Sequence, residues 1–268
     1  MRATLFTQEL KQYRTSFLIW SLTIVALIAM TMAAMPTMLS NTANLRALLK
    51  AYPEGFMRAF SFNLSTFEDP LGFYVVYGTL YVALLGGIFS SFVAAGIVSK
   101  EQGQGTAEFL LAKPLTRTQV SLTKIAAYLA LVLGLNILTF FTAWLCLKAF
   151  SPLPFRVDGL LILSFYALLL ALSMGGIGLL LSLLVRRARS FTGPAIGIVI
   201  GFYLLDAVAK ITEKYDAFGW ISPFKWMDVR VTEPGYGLSW WRMLLFAALI
   251  VGSFTASVVL YNNKDILS

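Results

Sequence analysis

The stretch Gly159-Leu-Leu-Ile-Leu-Ser-Phe-Tyr-Ala-Leu-Leu-Leu-Ala-Leu-Ser-Met-Gly-Gly-Ile-Gly-Leu-Leu-Leu-Ser-Leu-Leu-Val185 contains no charged residue. A helix rises 1.5 Å per residue, so about 20 mostly apolar residues cross ~30 Å of hydrocarbon. This run is longer than that. Its apolar residues are continuous rather than alternating, which argues against a strand of a bilayer barrel. Outward from it lie five more uncharged runs: Thr15–Leu45, Pro70–Ser99, Ile125–Leu147, Ser190–Leu205 and Met243–Asn263. The run from Ser190 is the short one and reaches full length only if Asp206 is tolerated near its end. The composition agrees, with 58% hydrophobic and 13% charged residues against roughly a quarter charged in soluble domains.

These runs predict an all-α integral membrane protein, one transmembrane domain over residues 1–268. The expected crossings are 17–36, 72–98, 121–147, 160–185, 191–209 and 243–261. Arg2, Lys11 and Arg14 precede a long apolar stretch with no short apolar core and cleavage site, so the first crossing is expected to stay in the mature protein. A single cysteine, Cys146, leaves no intramolecular disulfide and no Cys cluster for metal. The absence of histidine removes most zinc chemistry and every His-based catalytic dyad. No metal site and no catalytic residue is expected. The net charge of +8 sits in short segments between apolar runs, where it sets orientation and meets anionic lipid rather than nucleic acid.

Six crossings put both termini on one side, together with residues 99–120 and the turn 186–190. Lys and Arg divide almost equally between the two sides, so their number decides nothing. Their density does: Arg186, Arg187 and Arg189 crowd one very short turn, where the positive-inside bias is strongest. Both termini are therefore expected in the cytoplasm of a multi-pass cell-membrane protein.

Residues 1–16 place Phe6, Leu10, Tyr13 and Phe17 at near-helical spacing among Gln8, Glu9, Lys11 and Gln12, which predicts an amphipathic helix along the cytoplasmic surface. The loop 37–69 contains Ala51-Tyr-Pro-Glu-Gly-Phe56 and reads as ordered. The extracellular segment 210–242 carries Trp220, Trp226, Trp240 and Trp241 with Pro223 and Pro234, residues suited to the headgroup region.

Between the second and third crossings, Ser99-Lys-Glu-Gln-Gly-Gln-Gly-Thr-Ala-Glu-Phe-Leu-Leu-Ala-Lys-Pro-Leu-Thr-Arg-Thr-Gln-Val120 reads as a break and a short helix. Gly103 and Gly105 release the chain. Thr106 can cap a helix from Ala107 to about Ala112, Pro114 stops it, and Thr116 or Thr118 starts the next. Phe109 and Leu110 give it an apolar face that lipid does not need. On these grounds alone, a surface connector and a docking element stand about equal.

The spaced pattern Lys-Glu-x-x-x-Gly-Thr-x-Glu-x-Leu-Leu-x-x-Pro-x-x-Arg over Lys100–Arg117, followed by Lys124, resembles the signature of the ABC-2 type transporter permease family. The likeness extends along the chain: an amphipathic N-terminal helix, six crossings, a long outer segment before the last one, and Ile221-Ser-Pro-Phe224. The resemblance implies that Glu101, Gly105, Thr106 and Glu108 belong to a coupling helix that docks on a separate ATPase subunit. Phe109 and Leu110 would plug a groove on that partner, with Pro114 and Arg117 closing the motif. Gln104 stands where many members are more highly charged. There is no Gly-x-x-x-x-Gly-Lys-Ser/Thr loop, so no cofactor is expected on this chain. The resemblance assigns ATP and Mg to the partner ATPase. It further implies two such ATPases and a second permease subunit, as homodimer or heterodimer.

Three other constellations invite a role. Gly193, Gly197 and Gly201 recur every fourth position, which permits close helix approach. Packing within the subunit is favoured slightly over a dimer seam, and Gly86, Ser90, Ala94, Gly175, Gly176 and Gly178 receive the same neutral reading. Asp206 is an intramembrane acid, but Lys210 four residues on favours a helical ion pair over a substrate contact. Met30, Met32, Met35 and Met38 could hold Cu(I) or line an apolar entrance; flexible packing is the favoured reading. The leading expectation is an exporter subunit for a hydrophobic or amphipathic substrate. An ATPase-driven membrane anchor or sensor is the alternative, and an intramembrane enzyme lacks the paired groups it would need.

Overall fold

A computed structural model describes residues 2–40, 52–53, 55, 57, 69–104, 116–184, 192–211, 215–227 and 237–263. Among these, regular structure is helical throughout: α1 (Arg2–Ser40), α2 (Pro70–Gln104), α3 (Arg117–Phe150), α4 (Val157–Leu184), α5 (Thr192–Ile211), α6 (Asp216–Gly219), α7 (Pro223–Trp226) and α8 (Trp240–Asn263). Six of them, α1 to α5 and α8, are long and apolar enough to cross a membrane. Lipid offers no partner for backbone N–H and C=O groups, so each crossing closes its own ladder as a helix.

Two boundaries correct the sequence reading. The segment 1–16 does not form a helix apart from the first crossing, because α1 runs unbroken for 39 residues, ~58 Å at 1.5 Å per residue. No Gly or Pro lies between Arg2 and Met35, so nothing local stops it. Its apolar side also meets protein: Tyr13 is in the core, while Phe6, Leu10 and Phe17 are half-buried against it. The second correction is at Gly103, which lies inside α2 and does not release the chain. A single glycine costs about 1 kcal/mol in a helix, little against the many bonds of a 35-residue one. Downstream, Thr116 and not Thr118 caps α3, its side chain accepting from the backbone N–H of Gln119.

The core forms around α2 and α4, the two most enclosed crossings. Small residues bring them together. Gly178 lies against Ser91, Gly175 against Ser90 and Tyr128, and Gly176 against Ser253 of α8. Ser90 in this seam is paired across helices, as a buried group in a low-dielectric interior favours, whereas the Ser91 hydroxyl is buried without a partner among the described residues. Ser90 donates to the Ala171 carbonyl, and its oxygen lies 2.7 Å from the Tyr128 hydroxyl. Around this centre α1 packs on α3 and α2, α8 on α4 and α3, and α5 chiefly on α2.

The glycines of α5 behave differently from the favoured expectation. Gly193, Gly197 and Gly201 are exposed, with no other described residue within 4 Å of where a Cβ would stand. They do not serve packing within the subunit among the described residues. The physical reason is orientation: Ala195 and Val199 carry the buried face of α5, and the glycines fall on the other.

Candidate coupling site

Cross-helix bonds order the two ends of the bundle. At one end the Lys124 ammonium of α3 donates to the Ile97 carbonyl of α2 at 2.6 Å and lies 3.7 Å from the Glu9 carboxylate of α1. At the same end the Asn262 amide of α8 donates to the Thr118 hydroxyl at 3.3 Å. The first helix's start, the last helix's end and both flanks of residues 105–115 therefore gather together. At the opposite end the chain turns between α3 and α4, with Arg156 paired to Asp158 at 2.6 Å, and α6 and α7 cover the end of α5. Successive crossings alternate in direction, as an even number of spans with termini together demands.

The sequence-derived docking residues fall largely outside the described residues: Gly105, Thr106, Glu108, Phe109, Leu110 and Pro114 all do. Glu101 is in the last turn of α2 and Arg117 is the first residue of α3, so these two bracket the segment. Its frame is well built. Thr116 caps α3, Val120 and Ser121 are buried one turn on, and Lys124 is two turns in.

The Glu9–Lys124 pair was not read from the sequence. Glu9 looked like a member of the polar face of residues 1–16, yet the buried stripe is Leu5, Glu9 and Tyr13. That i, i+4, i+8 spacing was available as a signal. Phe6 and Leu10 obscured it by outweighing Glu9 in apolar character.

The remaining candidates sort cleanly. Asp206 and Lys210 do pair, at 2.5 Å, with Asp206 buried and Lys210 half-buried. The second Asp206 oxygen is buried without a partner among the described residues. The four methionines do not converge: Met32 and Met35 are in the core, whereas Met30 and Met38 are 65% and 44% exposed. Cys146 is buried. Among the described residues no three His, Cys, Asp or Glu side chains approach closely enough to hold a metal ion.

The segment after α5 folds back on the bundle. Ser222 accepts from the Phe224 N–H and donates to the Phe202 carbonyl at 2.7 Å. Trp226 donates to the Trp220 carbonyl at 2.9 Å and stacks edge-on to Phe246 of α8. Phe218, Trp220, Ile221, Trp240 and Trp241 remain exposed around it. Deeper, α1 to α4 line a small, partly open crevice with room for little more than a water molecule. Ile24, Val82, Gly86, Val132 and Ala171 make it apolar, with Asn136 and Thr139 the polar exceptions. Asn136 spends its amide on the Ser164 carbonyl at 3.0 Å.

A family model described as ABC-2 family transporter protein matches residues 3–266. The chain belongs to the ABC-2 transporter family. It is a membrane-domain family of ABC transporters, so this chain is a permease membrane subunit, and such permeases work with ABC ATPase subunits. No curated protein matches the chain. The ABC-2 assignment also fits the bundle: a family whose energy source is on another chain needs a site where that chain pushes. The helices on either side of residues 105–115 are joined at one end of the bundle.

Proposed function

We propose that this ABC-2 permease is half of the pathway of an ATP-driven exporter for a hydrophobic or amphipathic substrate. A second permease subunit, identical or related, completes the pathway, and two ATPase subunits dock from the cytoplasm. Both termini lie on that cytoplasmic side. The observation that carries the reading is the gathering of residues 97, 118, 124 and both terminal helices at one end of the bundle. The segment between Glu101 and Arg117 then meets the ATPase, with Glu108 making a charged contact and Phe109 and Leu110 an apolar one. ATP-driven closure of the two ATPases tilts this segment and switches access across the membrane. The low charge of the crevice lining suits an apolar cargo. The open glycine face of α5 suits the close approach of a second subunit.

Two experiments test this. In Glu108→Lys, association with the ATPase subunit encoded for this permease is lost on co-purification; undiminished association and ATPase activity would falsify the docking assignment. For orientation, single cysteines at Arg187 and Gly235 are labelled by a membrane-impermeant maleimide from opposite sides. Equal labelling of both from one side removes the proposed topology.

A further inference from the structure

The docking residues explain how force reaches residues 105–115, but not how it leaves them. Three helices meet at one buried ammonium. Lys124 is 0% exposed, its Nζ donates to the Ile97 carbonyl, and the 4%-exposed carboxylate of Glu9 stands beside it. From Ile97 the chain runs through the last turns of α2 directly into residues 105–115. From Lys124, two turns of α3 lead back to the same segment. Both arms of the loop therefore hold the same charge.

A buried ammonium is costly once its acceptors are removed. The contacts at Lys124 thus persist when the arms move, and the three helix ends shift as a unit. One turn deeper, Tyr13 of α1 is buried against α2. Its hydroxyl occupies the notch left by Gly96, 2.6 Å from the site of a Cβ, and its ring meets Phe92 edge-on. α1 has no Gly or Pro over residues 2–35, so displacement at Glu9 carries along an unbroken rod to Ile24, which lines the crevice with Val82 and Asn136.

We infer that Glu9 and Lys124 are positioning residues that transmit movement of the α2 end and the α3 start into α1. This rests on the docking role proposed above. Neither residue touches the ATPase; they act through the helices they join.

The test is hydrogen exchange with mass spectrometry on the full permease–ATPase complex, with and without ATP and vanadate. In the native complex, trapping changes exchange in residues 97–124 and also in residues 2–16. In Glu9→Met/Lys124→Met, which removes both charges together, the response of 97–124 persists and that of 2–16 is lost. Glu9→Gln, a milder change, reduces the 2–16 response in the same direction and serves if the double variant does not fold. A response of 2–16 that is the same in variant and native complexes overturns the inference, as does a native complex in which only 97–124 responds. If trapping leaves 97–124 unchanged in the native complex, the docking role itself fails and takes this inference with it.

Discussion

Helices α4 and α5 carry the same kind of signal and put it to opposite uses. Gly175, Gly176 and Gly178 of α4 lie where a Cβ would strike Tyr128, Ser253 and Ser91. Gly193, Gly197 and Gly201 of α5 face open space. A small residue in a membrane helix licenses close approach, but it does not name the neighbour. What separates the two is the rest of each helix. α4 has apolar residues on every side and sits at the centre of the bundle. α5 presents one buried edge, Ala195, Val199, Asp206 and Ala209, to its own subunit. The glycine stripe of α4 is thus consumed by the fold, whereas that of α5 meets no described residue of its own chain.

This contrast can be broken or sharpened by substitution. The largest effect is expected for Gly178→Ala, whose Cβ would stand 2.5 Å from the Ser91 hydroxyl and 2.8 Å from the Ser91 backbone oxygen. Backbone cannot yield cheaply, so a loss of about 2–3 kcal/mol is expected from overpacking, seen as a lower thermal midpoint in detergent; a native midpoint would refute the close α2–α4 seam. Gly175→Ala comes next, because its Cβ meets the Tyr128 side chain and the Ser90 hydroxyl, groups that can partly give way. We expect about 1–2 kcal/mol. Combined with Tyr128→Phe, which deletes the clashing hydroxyl, the loss should be less than the sum of the two single losses, the mark of a shared contact. Smallest for the fold is Gly197→Leu, within about 0.5 kcal/mol as for other open sites. Its effect belongs to assembly: chemical cross-linking between two permease subunits should fall sharply. Normal cross-linking would mean that the open face of α5 meets lipid alone.

A second contrast concerns the two ends of the bundle. The end with α6 and α7 was foreseeable in kind, since its tryptophans and prolines mark an interfacial segment. The structure adds that Phe224, Trp226 and Met227 are buried and that Ser222 both caps α7 and ties it to α5. The opposite end holds both flanks of the motif segment, and its internal wiring was not legible in the sequence. Glu9 and Lys124 are about as far apart in the sequence as α1 and α3, and each alone looks like an ordinary interfacial charge. Only their burial beside each other and beside the Ile97 carbonyl makes them a joint. The motif residues themselves are short-range features and were legible because their spacing is local.

The sequence by itself determined the class of this protein and the number of its candidate crossings. The reason is that bilayer thickness imposes a length on apolar runs, and charge and composition report it directly. It also determined the Asp206–Lys210 pair, whose partners are one helical turn apart. What only the tertiary structure decided was which face of each helix meets which neighbour. In lipid, apolar surface gains little by choosing protein over tails, so helix contacts depend on shape and on a few polar groups. Those contacts are set between residues distant in sequence: Ser91 with Gly178, Tyr128 with Ser90, and Glu9 with Lys124. α1 and α2 also run past their expected ends: the backbone ladder of a long helix carries it through a glycine such as Gly103, and no Gly or Pro among residues 2–16 stops α1.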